Sequence, residues 1–338
     1  MKRLLVRSLR YVLPIVIVAW LVIDIQRRDA DTFSELLGQP KNYLLLFVAA
    51  ILCLAGFCLS FVRWHRLVVA LDLPFRLKDA FRLGFLGQML GFVSLGSVGG
   101  DLFKAVFIAR EQQSRRAEAA VSVFVDRAVG MYGMLILICI AVLTIGVQHF
   151  PPLVLRVVQT SLVGFSLGTI VLAAMLLGWM DLRWLHGRTC QIGWLHAVLL
   201  RCQSGIDHYS EKSSSLFAAV LMAVTSHLLI ATSLYFAATA LYQGAPTWIE
   251  HCVIWPVGGA ASALPLTPAG LGTFEAALRY LYEHFSDVGI GGGIGLVVAL
   301  CFRGVTVTAA LIGFAVYWTD RRGFTDAAES AALDVDED

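Results

Sequence analysis

The strongest constraint on this chain is a series of apolar stretches about as long as a membrane is thick. A helix needs about 20 mostly apolar residues to cross a bilayer. Six stretches come close to that length or exceed it: Leu9–Ile25, Tyr43–Val62, Arg127–Val147, Ser161–Met180, Leu216–Tyr242 and Gly292–Trp318. The composition agrees, because 58% of the 338 residues are hydrophobic and only 15% are charged. The sequence therefore predicts an all-α fold, a polytopic integral membrane helical bundle.

Two further apolar segments, Ala80–Gly100 and Cys252–Gly272, are interrupted by many glycines, and the second also by prolines. Irregular backbone at membrane depth is tolerated only where protein or a water-filled cavity covers it. We therefore expect about six full spans plus two broken, re-entrant segments. The alternative is an ordinary bundle of eight full spans.

The lysines and arginines predict how the chain is oriented, because short cytoplasmic loops are enriched in both. Basic residues precede the first apolar stretch, and a second group that includes Arg63 and Arg66 follows the second stretch. Arg321 and Arg322 follow the last stretch. The pattern predicts a protein of the inner (plasma) membrane with both termini cytoplasmic and with two halves of opposite sidedness.

The predicted organisation is one transmembrane domain, residues 1–322, built from two pseudo-repeats at about 9–147 and 161–318. Residues 323–338 are acidic and are expected to form a disordered cytoplasmic tail. Inverted repeats with interrupted segments in matching positions are the best sequence-level indication of a transporter's central site. The two broken segments are therefore where we expect function.

Several classes of protein are disfavoured by the sequence. A net charge of +2 argues against nucleic acid as a partner, since a binder concentrates basic residues on one face. The seven cysteines lie in apolar sequence without metal-ligand spacing, so they are interpreted as packing residues and no metal or other cofactor is expected. The chain lacks a nucleotide-binding GxxxxGK[ST] motif and a nucleophile elbow, so we do not expect an enzyme.

The first candidate site follows the glycines of the first broken segment. Gly99 and Gly100 precede Asp101 and Lys104, and a helix is expected from Leu102 to Glu111. A glycine-rich turn that opens a helix presents free N–H groups and can bind an anion such as phosphate. Asp101 would contact the ligand or simply cap the helix. Lys104 would supply a counter-charge or extend to the membrane interface.

The second candidate site has the same logic. A break that contains Pro268, Gly270 and Gly272 precedes an expected helix from Thr273, which places Glu275 in the first helical turn. A negative charge is favourable there. A carboxylate buried at membrane depth is costly and is usually functional, whereas the alternative is a carboxylate at the external interface.

Two arginines complete the candidate set. Arg303 lies about halfway along the last apolar stretch, where an arginine costs at least about 2.5 kcal/mol. It should face the bundle interior and pair with Glu275 or with a lipid phosphate, or form a purely structural ion pair. Arg127 follows Asp126 at the start of a span. His227 is interpreted as a helix-packing residue.

These residues together resemble a known family. The set comprises Gly99-Gly100-Asp101 followed by a basic residue, Asp126-Arg127, Pro265-x-x-Pro268-x-Gly270-x-Gly272-x-x-Glu275, and Arg303 before Gly313. In that order they resemble the lysylphosphatidylglycerol synthase transmembrane-region family, also called flippase-like domain proteins. The family often has Gly-Gly where this chain has Ala269-Gly270, and arginine where it has Lys104. Neither departure removes the backbone or the charge that the site needs.

The resemblance implies that the chain is the membrane half alone, since the family's full-length synthases append a cytosolic aminoacyltransferase domain. It also implies translocation of a lipid or lipid-linked headgroup rather than headgroup synthesis. The leading hypothesis is a flippase or scramblase for a phosphate-bearing lipid. The alternative is an intramembrane enzyme or glycosyltransferase partner acting on polyprenyl-phosphate lipids. A second copy of the chain and a lipid-modifying enzyme are the protein partners considered.

Overall fold

The computed structural model describes residues 40–93, 96–112, 115–177, 207–264, 267–286 and 291–319, with a few single positions elsewhere. Within these ranges the chain forms α-helices and two 3₁₀ turns and no strand. The α-helices are α1 (Tyr43–Ala70), α2 (Leu77–Val93), α3 (Gly96–Glu111), α4 (Arg116–Ile145), α5 (Pro152–Leu176), α6 (Ser213–Leu241), α7 (Trp248–Ala263), α8 (Thr273–Phe285) and α9 (Gly291–Thr319). The 3₁₀ turns are Val147–His149 and Pro268–Gly270.

Five of these helices, α1, α4, α5, α6 and α9, are long and apolar enough to cross a membrane. They confirm the all-α polytopic bundle. The predicted span Leu9–Ile25 and the predicted tail at 323–338 lie outside the described residues. Helix α4 begins at Arg116 rather than at Arg127, because a charged first turn can be helical although it is not apolar. Helix α5 begins at Pro152, a position where proline is favoured, so most of the expected loop before Ser161 is helical.

The segment expected at Ala80–Gly100 is a pair of antiparallel helices, α2 and α3, here called the first hairpin. Gly87 lies against Gly100 near the break. The guanidinium of Arg82 lies 5.5 Å from the ring centre of Phe107, and Asp79 is close enough to Glu111 to affect it electrostatically. Residues nearer the start of α2 therefore contact residues nearer the end of α3, as in an antiparallel pair of helices. The outer ends of the hairpin, near Asp79 and Glu111, therefore lie close together.

The segment expected at Cys252–Gly272 is organised in the same way. Helix α7, the 3₁₀ turn Pro268–Gly270 and helix α8 form the second hairpin, and the 3₁₀ turn is its tip. A Cβ on Gly258 would lie 2.5 Å from Leu278 Cδ1, so the two helices are in close contact. Farther from the tip, the Tyr282 hydroxyl and His251 Nε2 are 2.7 Å apart in a hydrogen bond. Re-entry of either hairpin into a membrane stays a prediction.

The helix contacts match what two related halves would produce. Helix α1 packs along α6, and most other contacts form equivalent pairs when α1–α4 are exchanged with α6–α9. Thus α2 packs on α9 as α7 packs on α4, and α3 packs on α4 as α8 packs on α9. Helix α1 contacts α2 and α4 as α6 contacts α7 and α9. Opposite sidedness of the halves stays a prediction.

Two glycines of α9 give a test of how tightly the first hairpin packs on this helix. A Cβ on Gly313 would collide with the backbone carbonyl of Phe85 in α2, whereas a Cβ on Gly304 would meet open space. We expect Gly313→Ala to destabilise the protein by about 1–3 kcal/mol through overpacking. Gly304→Ala should be neutral or stabilising by up to about 1 kcal/mol, because alanine is the better helix former. Thermal unfolding in detergent measures both, and equal effects would contradict the close packing of α2 on α9.

Candidate functional site

A cavity of about 530 Å³ lies between the two hairpins and is lined by side chains from all nine described helices. Its charged lining residues are Arg63, Asp101, Lys104, Asp126, Arg127 and Arg303. Charges in the interior of an apolar bundle are costly and usually functional. This cavity is therefore the candidate site.

Half of the residues suggested by the sequence line this cavity. They are Gly100, Asp101, Lys104, Arg127 and Arg303. The other five suggested residues, Gly99, Pro268, Gly270, Gly272 and Glu275, are described by the structure but do not contribute to the cavity wall. Their contacts show what they do instead.

Glu275 lies immediately behind the wall of the cavity. Helix α8 begins at Thr273 as expected, and Glu275 is in its first turn. The Gly272 N–H donates to Glu275 Oε2 at 2.7 Å, and Arg303 Nε donates to Oε1 at 2.9 Å. The Glu275 side chain is 0% exposed. Glu275 is therefore buried inside the protein, and its depth in the membrane stays a prediction.

Arg303 connects the last span to the tip of the second hairpin. Its NH1 and NH2 groups donate to the carbonyl oxygens of Ala269 at 2.8 Å and Gly270 at 3.2 Å. Its guanidinium also lies 5.6 Å from the ring centre of Phe274. Backbone carbonyls in a non-helical turn need donors when water is excluded. Arg303 supplies a charged donor to each carbonyl, beside the hydroxyls of Ser262 and Thr273. Arg303 therefore forms the expected pair with Glu275 and also binds the backbone of the tip.

The predicted proline and glycines of the tip set its backbone. Pro268 opens the 3₁₀ turn, and Gly270 and Gly272 have φ of +65° and +85°. Only glycine adopts such angles readily. A Cβ on Gly270 would also collide with Ser262. These residues therefore shape the tip.

In the first hairpin, the glycines do not form the predicted turn. Helix α3 begins at Gly96, six residues before the expected start at Leu102. Gly100 and Asp101 lie beyond the first turn, so their N–H groups bond within the helix. The proposed anion site at these N–H groups is wrong, and so is the interpretation of Asp101 as the helix cap. Gly100 instead permits close packing on Gly87, and Gly99 lies beside it within the first turn.

Asp101 is shared by two cations on the cavity wall. Lys104 Nζ lies 3.8 Å from one carboxylate oxygen and Arg127 NH1 lies 3.3 Å from the other. These distances exceed the 2.7–2.9 Å typical of strong charge-assisted hydrogen bonds. Lys104 Nζ also lies 5.5 Å from the Trp64 ring centre. The three charged side chains are between 16% and 41% exposed.

Sequence reasoning missed the pairing of Arg63 and Asp126. The charge pattern predicts that Arg63 lies in a cytoplasmic loop, but it lies inside α1 and is 6% exposed. Its Nε and NH2 groups donate to the two oxygens of Asp126 at 2.7 and 3.1 Å. The available signal was Asp126 itself, a carboxylate beside an apolar span that required a partner.

The contacts of His227 agree with the interpretation of this residue as a helix-packing residue, although its side chain also lines the cavity. Trp255 Nε1 donates to its Nδ1 at 3.1 Å, so Nε2 carries the hydrogen and donates to the Gly130 carbonyl at 3.0 Å. Both ring nitrogens are satisfied. Among the described residues, no group of histidine, cysteine and acidic side chains could hold a metal ion.

Each hairpin carries an acidic residue that pairs with an arginine of the span that follows it, and the two pairs differ in exposure. Asp101 on α3 pairs with Arg127 on α4, and Glu275 on α8 pairs with Arg303 on α9. These helices occupy equivalent positions in the pattern of helix contacts. The first pair has side-chain exposures of 29% and 41% and a distance of 3.3 Å. The second has exposures of 0% and 11% and a distance of 2.9 Å. One pair is open to the cavity and the other is closed.

Comparison with known proteins places this architecture in a family. No curated protein matches the chain in sequence. The model of the family described as the lysylphosphatidylglycerol synthase TM region matches residues 8–313. The match covers both hairpins and all the charged residues of the cavity. The chain therefore belongs to the lysylphosphatidylglycerol synthase transmembrane-region family.

Proposed function

We propose that this protein is a lipid transporter of the flippase or scramblase type, which moves a phosphate-bearing headgroup through the cavity between its hairpins. The observation that carries the proposal is the loose sharing of Asp101 by Lys104 and Arg127 on the wall of that cavity. Two cations that share one carboxylate can accept a second anion. Phosphate is the anion common to most membrane lipids.

The chemistry of the two cations suits a phosphate. An arginine can bind phosphate through two parallel N–H groups, and a lysine binds it as a point charge. Both side chains line the cavity and lie beside Asp101. An entering phosphate would take the place of the Asp101 carboxylate beside both cations, so neither cation lacks an anion before the ligand binds.

The unequal acid–arginine pairs support movement between two states. In this state the cavity reaches Asp101 and Arg127, whereas Glu275 is wholly buried behind Arg303. Because the helices that carry the two pairs correspond, exchanging their states would close the first hairpin and open the second. With halves of opposite sidedness, that exchange would expose the headgroup to the other leaflet.

The remaining features of the proposal follow from the sequence. We place the protein in the inner membrane with both termini in the cytoplasm, and membrane lipids are its ligands. No chemical step is proposed, so the protein would act as a transporter rather than an enzyme, with a second copy or a lipid-modifying enzyme as candidate partners.

Reporter flipping in liposomes tests the proposal. Purified protein is reconstituted into liposomes with a phosphatidylglycerol that carries a fluorophore on its headgroup. An impermeant reductant then bleaches the fluorophore. We expect bleaching of only the outer-leaflet reporter in protein-free liposomes and of nearly all the reporter when protein is present. A phosphate-free glycolipid with the same fluorophore should flip much more slowly. Equal bleaching with and without protein would exclude the transport function.

A further inference from the structure

The cavity continues beyond its charged end along one face of α4. Asp126 and Arg127 lie at one end of this face, and Met131, Met134 and Ile138 follow at helical spacing. Twelve residues of helix rise about 18 Å. One face of the cavity wall therefore changes from charged to apolar over about the length of a short aliphatic chain.

Other helices complete the apolar part, which we call the wing. It is defined by Met131, Met134, Leu135 and Ile138 of α4, Phe57 of α1 and Trp255 of α7. Arg63 and Phe57 both line the cavity from α1. Arg63 meets Asp126 at the charged end, and Phe57 lies about 9 Å along its helix from Arg63. Charge and apolar surface are thus separated in the same direction on both helices.

The wing opens to the side of the bundle as well as to the charged end. Met131 is 58% exposed although it lines the cavity, whereas Ile138 is 3% exposed. Helix α5 contributes Val157 and Ser161 to the wall. Only 6% of the most apolar stretch of this helix is buried inside the protein. A chain could therefore enter from the lipid side past Met131 and lie against buried surface at Ile138.

We propose that the wing is the binding subsite for one aliphatic chain of the transported lipid, whose phosphate lies between Lys104 and Arg127. The inference rests on the proposed function and specifies the ligand as an amphiphile that is recognised at both parts. A cavity of about 530 Å³ accommodates a drug-sized ligand. It therefore holds a phosphate with part of one chain, and any second chain stays in the surrounding lipid.

The two-part ligand predicts a dependence of affinity on chain length. Burial of one methylene is worth about a fourfold gain in affinity. We expect methyl, butyl and octyl phosphate to bind with rising affinity to the protein in nanodiscs, measured by the fluorescence of its tryptophans, including Trp255 in the wing. Inorganic phosphate should bind no better than methyl phosphate. This arm distinguishes a lipid headgroup from free phosphate.

A variant in the wing separates chain binding from phosphate binding. Met134→Gln keeps nearly the same side-chain volume but places an amide among apolar side chains. This variant should lower the affinity for octyl phosphate by about tenfold or more, since an amide without a hydrogen-bond partner is costly in apolar surroundings. Methyl phosphate binding should be unchanged. Gly259→Leu is a second variant, because its Cβ would lie 3.3 Å from Met134 Cε and would push that flexible side chain into the wing.

The outcomes distinguish the two proposals. A steep chain-length dependence in the wild type that flattens in either wing variant supports the chain subsite. The same dependence in wild type and both variants overturns it and leaves phosphate recognition standing. Equal binding of octyl glucoside, a neutral amphiphile with the same chain, also overturns it. Absence of binding by every phosphate, together with absence of reporter flipping, would reject the transport proposal itself.

Discussion

Replacement of Arg303 with alanine is expected to lower the free energy of unfolding by about 3–5 kcal/mol, as when one member of a buried ion pair is removed. Glu275, which is 0% exposed, would be left without its cationic partner. The carbonyls of Ala269 and Gly270 would each lose one charged donor, although the hydroxyls of Ser262 and Thr273 would still donate to them. The measurement is thermal unfolding of the purified protein in detergent, together with the yield of monodisperse protein.

Three further variants identify the cause of that loss. Arg303→Met combined with Glu275→Gln should recover much of the stability, because no buried charge remains uncompensated. Glutamine is preferred at this position because the Gly272 N–H still needs an acceptor. Arg303→Lys should be intermediate, since it keeps a cation but loses the planar fork. Arg156→Ala on the exposed face of α5 is the matched control and should change stability by at most about 0.5 kcal/mol. An Arg303→Ala protein as stable as the wild type would show that the pair does not hold the tip.

The parts of the fold that sequence predicted best are governed by local chemistry. Any helix that faces lipid needs a long apolar stretch. The lengths of the apolar stretches therefore predicted the spans from Tyr43 onward, but not the residues at which each helix begins and ends. The second hairpin was also located well. Prolines and positive-φ glycines determine a turn by themselves, and Glu275 falls in the first turn of any helix that begins at Thr273.

The first hairpin shows where local chemistry is insufficient. A glycine-rich stretch usually predicts a turn, yet Gly96–Gly100 is helical. Its glycines allow α3 to approach α2 closely enough that a Cβ on Gly100 would collide with the Gly87 carbonyl. Tertiary packing overrides propensity here. The preference of a residue for a turn does not reveal that a second helix lies against it.

The ion pairs of the cavity required the fold for the same reason. Arg63 and Asp126 are 63 residues apart in the sequence. A cytoplasmic loop already explained the positive charge of Arg63, so the sequence did not require a pairing with Asp126. Asp101 and Arg127 were both suggested by the sequence, but neither their contact nor the sharing of Asp101 with Lys104 was. The types of residue in the site could therefore be predicted, and its division into a closed pair and an open pair could not.

At the open pair we expect a loss of activity without a loss of stability, whereas replacement of Arg303 in the closed pair lowers stability. Lys104→Gln combined with Arg127→Gln should abolish phosphate-lipid flipping while the protein remains folded. Each substitution removes a charged donor to the phosphate, worth about 1.5–3 kcal/mol, or about 10- to 100-fold in binding. Stability should change little, because the Arg127 side chain is 41% exposed and both cations contact Asp101 only loosely.

The controls for this variant lie on α3, the helix that carries Lys104. Arg110→Gln on α3 removes a charge that does not contribute to the cavity wall and should leave flipping unchanged. Asp101→Asn removes the carboxylate that competes with phosphate, so it should preserve or strengthen the binding of methyl phosphate. Flipping rates in liposomes are compared with melting temperatures of the same preparations. A double variant that melts normally and still flips the reporter at the wild-type rate would remove Lys104 and Arg127 from the transport mechanism, because no cationic pair would then be needed at the open end of the cavity.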